Sequence, residues 1–382
     1  MMRVAYVTTD PGIPAFGTKG ASAHVQAILA AFLRRGARVT LFAPDPGPVP
    51  ARLEGLRVVA LPPAPKGDPD GRAARLLAMD AELPSKLAAE GPFDLVYERH
   101  ALFASGAMGF ARSHGLAGVL EVNAPLLEEQ ARHRSLARAS DAVAAASRAM
   151  TTAGRVVCVS GAVAEYARAL GAVAPIVVSN GVDPDRFATD PRGDGPFTAG
   201  FIGTLKPWHD TATLIACLPH LRARIPEARL LIVGDGPERL PLAAQAEALG
   251  LAHSVEFTGA LPPEEVPAAL ARMHAGTAPY SGDQAFYFSP LKLYEYMAAS
   301  LPVVVSDVGD LAAIVGASNC GVAVAPDRPD LLAAALADLA AGPGRAAALG
   351  AAGRAHVVAH HSWDRVLDRS LDGLGPAKRG AA

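Results

Sequence analysis

The sequence predicts an α/β fold of two Rossmann-like, doubly wound domains facing each other across a cleft. Three observations carry this. Short β-rich runs alternate with amphipathic helical patterns in both halves of the chain, an order that implies parallel sheets with right-handed crossovers. A stretch rich in Pro, Gly and Asp, residues 184–196, lacks periodicity and reads as a linker between the two series. The length of 382 residues exceeds what one hydrophobic core usually organises. The expected boundaries are 1–187 for the first domain, 188–197 for the linker, 198–360 for the second domain, and 361–382 for a last helix and tail.

The first strand is expected at 4–9, closed by an Asp-Pro-Gly turn. A Gly-containing loop leads to a helix from about 22 to 35, and the next strand spans 37–43. Further strands are expected at 56–61, 94–98, 118–122, 155–159 and 176–178, with helical patterns between them. Residues 126–153 read as one long helix or two broken ones. The second series places strands at 198–202, 229–233, 254–257, 276–278, 302–305 and 321–324. The Ala-rich segment 331–357 is helical, and 361–374 forms a last helix. Sheets of this kind bind ligands outside the carboxyl ends of their strands, so chemistry is expected in the loops that follow strands.

Composition bounds the function. Hydrophobic residues make up 51% but aromatics only 5%, so the cores must rest on Val, Leu and Ile in a globular chain. A net charge of −2 gives no argument for nucleic acid. Residues 1–187 carry 20 Lys and Arg against 17 Asp and Glu, a balance of +3, and the remainder 15 against 20, or −5. Ordinary surface scatter explains that asymmetry better than an anionic acceptor or membrane surface does. Cys158, Cys217 and Cys320 lie far apart in apolar flanks and read as buried thiols, consistent with a reducing cytoplasmic setting. No apolar run approaches the roughly 20 residues of a membrane span, and peripheral membrane contact stays open.

The densest signal is Phe288-Ser-Pro-Leu-Lys-Leu-Tyr-Glu-Tyr-Met-Ala298, a Pro-containing turn opening an amphipathic helix. The unpaired N–H groups and dipole of such a helix start favour phosphate, and Lys292 adds a cation in the first turn. Glu295 stands three residues on, on nearly the same face. A carboxylate repels phosphate but accepts two hydrogen bonds from a pair of sugar hydroxyls. Diphosphate at the tip and ribose one turn later is the layout of a nucleotide-sugar site.

This stretch resembles the Glu-x7-Glu signature of retaining glycosyltransferases of family four, which have the GT-B fold. The resemblance makes Glu295 the ribose-binding second Glu. Tyr287 stands where the first Glu is usual, which puts donor-sugar contacts in question. It also implies backbone N–H contacts from Leu291 and Lys292 to phosphate, a donor site that includes Ser289 and Pro290, and a last helix that crosses back to the first domain.

Other loops fit the same family. Lys19-Gly20 stands where the family has a Gly-Gly pair, with Gly20 free to approach the donor. Lys19 and His24 lie on the expected acceptor side. Asn123, in Leu120-Glu-Val-Asn-Ala-Pro125, occupies the place of a family His and can position a hydroxyl without titrating. An Asx-turn before Pro125 would also explain it. Glu121 and His100 are further strand-end candidates for the acceptor. Val178-Ser-Asn-Gly-Val-Asp183 matches a family turn and reads as structural. In Gly203-Thr-Leu-Lys-Pro-Trp-His209, Thr204 and His209 replace the family's Arg and Lys, and Lys206 is expected to take the cationic task on the diphosphate. Gly259, Ala260 and Leu261 match the loop that frames the nucleobase.

The sequence therefore predicts a retaining, metal-independent glycosyltransferase with Asn123, Lys206 and Glu295 as its catalytic residues. No Asp-x-Asp pair stands out for a divalent ion, and no cofactor is expected. The expected donor is a UDP-sugar, on family frequency, and the acceptor is a small molecule, a glycan or a lipid-linked sugar. A nucleotide-sugar epimerase of the same fold and a non-catalytic partner subunit are the alternatives. The first would need titratable groups that Asn123 does not supply, and the second is motivated by Tyr287.

Overall fold

The computed structural model describes residues 1–374 except 18, 66, 134, 188–194, 284, 285, 288 and 290. The chain divides into two compact units. Unit 1 holds Met1–Asn180, Tyr287–Ser289 and the chain from Trp363 onward; unit 2 holds Gly181–Phe286 and Pro290–Ser362. The boundary lies at Asn180, short of the expected 187, because the turn after Asn180 already belongs to the second unit. Most of the expected linker, 188–194, lies outside the described residues.

Unit 1 is built on seven strands: β1 (Arg3–Thr8), β2 (Arg38–Pro44), β3 (Arg57–Leu61), β4 (Leu95–Arg99), β5 (Ala117–Val122), β6 (Arg155–Cys158) and β7 (Ile176–Val177). They are parallel, in the order β3-β2-β1-β4-β5-β6-β7. The helices are α1 (Gly20–Arg34), α2 (Pro69–Glu90), α3 (Gly106–Ser113), α4 (Leu126–His133), α5 (Ala139–Thr152) and α6 (Gly161–Ala169). The stretch 126–153 thus resolves into two helices. The order reverses between β1 and β4, and a crevice opens beyond such a reversal. Residues alternate across the sheet. Phe42, Val96 and Leu120 pack with Leu83, Met108 and Ala146. Tyr6 stacks on Tyr97 at 5.5 Å on the other face.

Unit 2 has six parallel strands: β8 (Thr198–Ile202), β9 (Arg229–Val233), β10 (Val255–Gly259), β11 (Ala275–Ala278), β12 (Val303–Ser306) and β13 (Gly321–Val324). Their order, β10-β9-β8-β11-β12-β13, reverses between β8 and β11. The helices are α7 (Thr211–Arg224), α8 (Arg239–Ala248), α9 (Val266–Ala271), α10 (Leu291–Ala298), α11 (Leu311–Ser318), α12 (Pro329–Ala341) and α13 (Pro343–His360). Helix α12 ends at Ala341 with Gly342 as its C-cap, and α13 starts on Pro343, so the helical segment expected over 331–357 divides in two at a residue that favours a helix start. One sheet face packs Phe201, Leu218, Ile232 and Leu336; the other packs Ile202, Val233, Tyr296 and Val305.

The last helix, α14 (Trp363–Leu371), belongs to unit 1. Arg34 pairs with Asp364 at 3.0 Å and Arg35 with Asp368 at 2.8 Å, while Trp363, Val366 and Leu367 are buried. The three cysteines are buried and unpaired, Cys158 in unit 1 and Cys217 and Cys320 in unit 2. Burial pushes the Cys158 and Cys217 thiols up to about 12.

Candidate active site

Each unit gathers polar side chains at the carboxyl ends of its strands. In unit 2 the helix that matters is α10. Its Tyr296 hydroxyl accepts from Ile202 N at 2.8 Å and donates to Thr277 O at 3.1 Å, tying the helix to the ends of β8 and β11. The ring lies so close to β11 that a Cβ on Gly276 would stand 2.4 Å from it. Helix α10 therefore starts beside the topological reversal.

Lys292, in the first turn, is 7% exposed, and its ammonium has no hydrogen-bond partner among the described residues. It sits 4.0 Å from the Phe201 ring centroid and 5.2 Å from that of Tyr280. Cation–π attraction offsets only part of the cost of burying such a charge. Burial pulls its pKa down to about 7, against a smaller opposing pull from Glu295. Gly203, at φ +142°, passes so near that a Cβ there would lie 3.3 Å from Nζ. Glu295 is half-buried; burial raises its carboxyl above the usual range, and Arg186 and Lys292 limit the rise.

The loop after β8 supplies Thr204, exposed, and Lys206, half-buried with its ammonium 5.7 Å from the Trp208 ring. His209 Nδ1 lies 2.6 Å from Thr204 O. A carbonyl only accepts, so Nδ1 carries the proton. Burial, with Lys292 and Lys206 beside it, lowers the His209 pKa to about 3. His209 is thus a neutral ring near Phe201 and Tyr280, and the cationic side chains beside it are Lys206 and Lys292. Gly259, at φ +74°, ends β10 and its carbonyl accepts from Gly234 N at 2.8 Å. Ala260 is exposed and Leu261 half-buried beyond it. Pro290 lies outside the described residues.

In unit 1 the carboxyl ends of three strands form a row: Thr8, last in β1, pairs with Arg99, last in β4, and Arg99 with Glu121, next to last in β5. Arg99 is 7% exposed and has an unpartnered Nη1 among the described residues. Burial alone would raise the Glu121 carboxyl, but His24 and Arg99 outweigh it and hold it low. The Asn123 side-chain nitrogen also lacks a partner among the described residues. Gly20 opens α1, whose N-terminus has no side-chain cap, while the Lys19 ammonium folds back onto Gly12 O at 3.2 Å. His100 is buried, and burial alone lowers it to about 4, so it is neutral.

Two expected residues sit differently from the sequence reading. His24 is 3% exposed, with Nδ1 2.8 Å from Asn180 Oδ1 and Nε2 paired to Glu121, so neither nitrogen is left for an acceptor. Ser289 belongs to unit 1; its hydroxyl accepts from Asn180 N at 2.9 Å and its carbonyl from Asn180 Nδ2 at 2.8 Å. Tyr287, where the first Glu would stand, donates its hydroxyl to Glu129 on α4. Sequence reasoning missed Arg99 and Asn180. Arg99 adjoins His100 in a strand whose faces alternate, and that alternation was the available signal. Among the described residues no group of three or more His, Cys, Asp or Glu gathers as metal ligands.

Two parallel, doubly wound sheets of this order are the GT-B fold, shared with solved glycosyltransferase structures. The chain belongs to the glycosyltransferase families whose models match both units: Glycosyltransferase Family 4 over residues 18–186 and Glycosyl transferases group 1 over residues 196–341. A GDP-mannose-dependent alpha-(1-6)-phosphatidylinositol monomannoside mannosyltransferase of Mycobacterium tuberculosis is 33% identical over 224 residues, 55% of this chain and 58% of that protein. The match thus spans little more than half of that relative's length. Among solved structures, sucrose-phosphate synthase from Thermosynechococcus elongatus has a TM-score of 0.74 at 20% identity, covering 98% of this chain and 100% of that one. Anabaena HepE in complex with UDP and glucose has 0.72 at 20% identity, covering 98% and 99%. These two bear on the fold. The expectation of a UDP-sugar finds no support in the curated relative, which is GDP-mannose-dependent.

Proposed function

We propose that the protein is a retaining glycosyltransferase that takes a sugar from a nucleoside-diphosphate sugar, with GDP-mannose the first candidate, without a divalent metal. The carrying observation is Lys292: a buried ammonium with no partner among the described residues, in the first turn of α10. A diphosphate would give it the charge-assisted hydrogen bonds it lacks. Lys206 adds a second cation, and together they stabilise charge that grows on the leaving diphosphate. Glu295, one turn on, would accept from ribose hydroxyls. Asn123 would orient a hydroxyl on the unit 1 side.

In this reading the acceptor oxygen attacks the anomeric carbon from the side of the leaving group. The carbon–oxygen bond to diphosphate breaks as the new one forms, and a phosphate oxygen takes the acceptor's proton. The protein contributes position and electrostatics. The acceptor is a lipid-linked or glycan hydroxyl, by analogy with the relative. No helix among the described residues is long and apolar enough to cross a membrane, so a lipid acceptor would be met at a surface.

The test is calorimetric titration with GDP, UDP, ADP, dTDP and CMP in EDTA, then product analysis with GDP-mannose. GDP binding in EDTA, with transfer and retained anomeric configuration, is the expected result. Binding that needs magnesium, preference for UDP, or a covalent sugar–enzyme adduct without acceptor would each overturn the corresponding part. Product formed from donor alone would instead favour an epimerase.

A further inference from the structure

Alternation along β4 turns Tyr97 and Arg99 to one face of the unit 1 sheet and Val96 and Glu98 to the other, where Val96 packs with Leu83 and Met108. Glu98 is therefore an acid on an apolar face. It is 0% exposed, and neither of its carboxyl oxygens has a hydrogen-bond partner among the described residues. Its neighbours in register are Val7 of β1 and Leu120 of β5, both apolar. The proposed reaction makes no use of it.

A second carboxyl acts on Glu98 from α2, and its surroundings are the opposite. Asp80 Oδ1 accepts from Ser105 N at 2.9 Å and Gly106 N at 2.7 Å, and Oδ2 accepts from the Ser105 hydroxyl at 3.0 Å. Backbone donors at a helix start lack partners within the helix, so Asp80 caps α3 although it comes from another element. The two helices meet so closely here that a Cβ on Gly106 would stand 2.5 Å from Asp80 O. Asp80 thus has three donors and Glu98 has none. A carboxyl group buried without donors is held more cheaply with its proton than without it. Burial first, and then repulsion by Asp80, raise the Glu98 carboxyl well above its ordinary range. Met108 N, near it but short of hydrogen-bond geometry, is the smallest influence and opposes them. No other charge acts on Glu98 among the described residues, and His100, two residues on, is neutral through burial.

We propose that Glu98 is a pH-sensitive latch: it keeps its proton at neutral pH, so that Asp80 alone carries negative charge at the start of α3, and its ionisation in alkali loosens α2 and α3 from the sheet. The latch lies within unit 1 and stands whether or not the proposed reaction is correct. The unfolded chain releases this proton near the ordinary carboxyl value of 4.5, and the folded chain only at higher pH. Between the two the folded state binds the extra proton, so this group makes the protein less stable as pH rises.

The experiment follows the Tm of the full chain against pH for the wild type and Glu98→Gln, whose amide has the shape of the protonated acid and cannot ionise. Glu98→Gln is expected to gain on the wild type by about 3–5 °C per pH unit above about pH 5, levelling off where the folded wild type ionises. Infrared spectra near pH 7 are expected to show the carbonyl band of a protonated, buried carboxyl in the wild type and not in Glu98→Gln. In Asp80→Asn that band should disappear at lower pH than in the wild type, because the repelling charge is gone. Parallel Tm curves for the wild type and Glu98→Gln would overturn the proposal, as would the lack of that band in the wild type near neutral pH. If Glu98→Gln does not fold, Glu98→Leu, apolar like the rest of that face, takes its place in both measurements.

Discussion

Lys292 concentrates the energetics of the site in one nitrogen. A buried ammonium without a hydrogen-bond partner among the described residues is held at a cost, and its ordinary pKa near 10.5 falls to about 7. Between those values the unfolded chain binds the extra proton, so this group makes the unliganded protein more stable as pH rises from about 7 towards 10.5. Lys292→Met should raise the Tm of the unliganded protein at pH 6 and abolish the Tm gain from GDP, with affinity falling roughly tenfold to a hundredfold. GDP binding above pH 7 should take up a proton, seen as a dependence of calorimetric heat on buffer ionisation enthalpy. A binding heat independent of buffer would contradict this. The sequence placed Lys292 in a first helical turn, but it could not show the rings of Phe201 and Tyr280 around it. For the same reason it could not show that His209 is neutral: neutrality comes from packing between residues far apart in the chain. The roles of Asn180 and Arg99 were hidden because each depends on what a neighbouring strand or loop presents.

At the level of elements, α10 is positioned by Tyr296 more than by its own termini. Tyr296→Phe leaves Ile202 N without its acceptor and Thr277 O without its donor, both in a buried setting. The expected loss is about 1–3 kcal/mol in urea unfolding, with weaker GDP binding. Gly276→Ala should cost a similar amount, about 1–3 kcal/mol, because its methyl would meet the Tyr296 ring. Wild-type stability in either variant would show that α10 is held by other contacts. The strands were legible because apolar runs bounded by turn residues are local signals. The break between α12 and α13 was not recognised, although Gly342 and Pro343 spell it out, since the surrounding alanine gives no periodicity to interrupt.

For the whole molecule, the two-sheet organisation was legible from the alternation of elements, while the boundaries were not. Asn180, Ser289 and Trp363 are assigned to unit 1 by contacts made across the chain, which no local pattern encodes. Helix α14 makes the point: its Trp363 is 8% exposed and packs with α1 through His24. Trp363→Ala should destabilise unit 1 by about 3–5 kcal/mol, and a separate early transition in thermal unfolding is the expected sign.

The three buried thiols make such a transition directly observable. Cys158 reports on one unit, Cys217 and Cys320 on the other, and each reacts only when its surroundings open. Timed labelling with a thiol reagent, read by peptide mass, thus turns the unmodified chain into two independent clocks. Each unit can be dated separately as it opens, and a bound ligand will slow the clock of the unit that holds it.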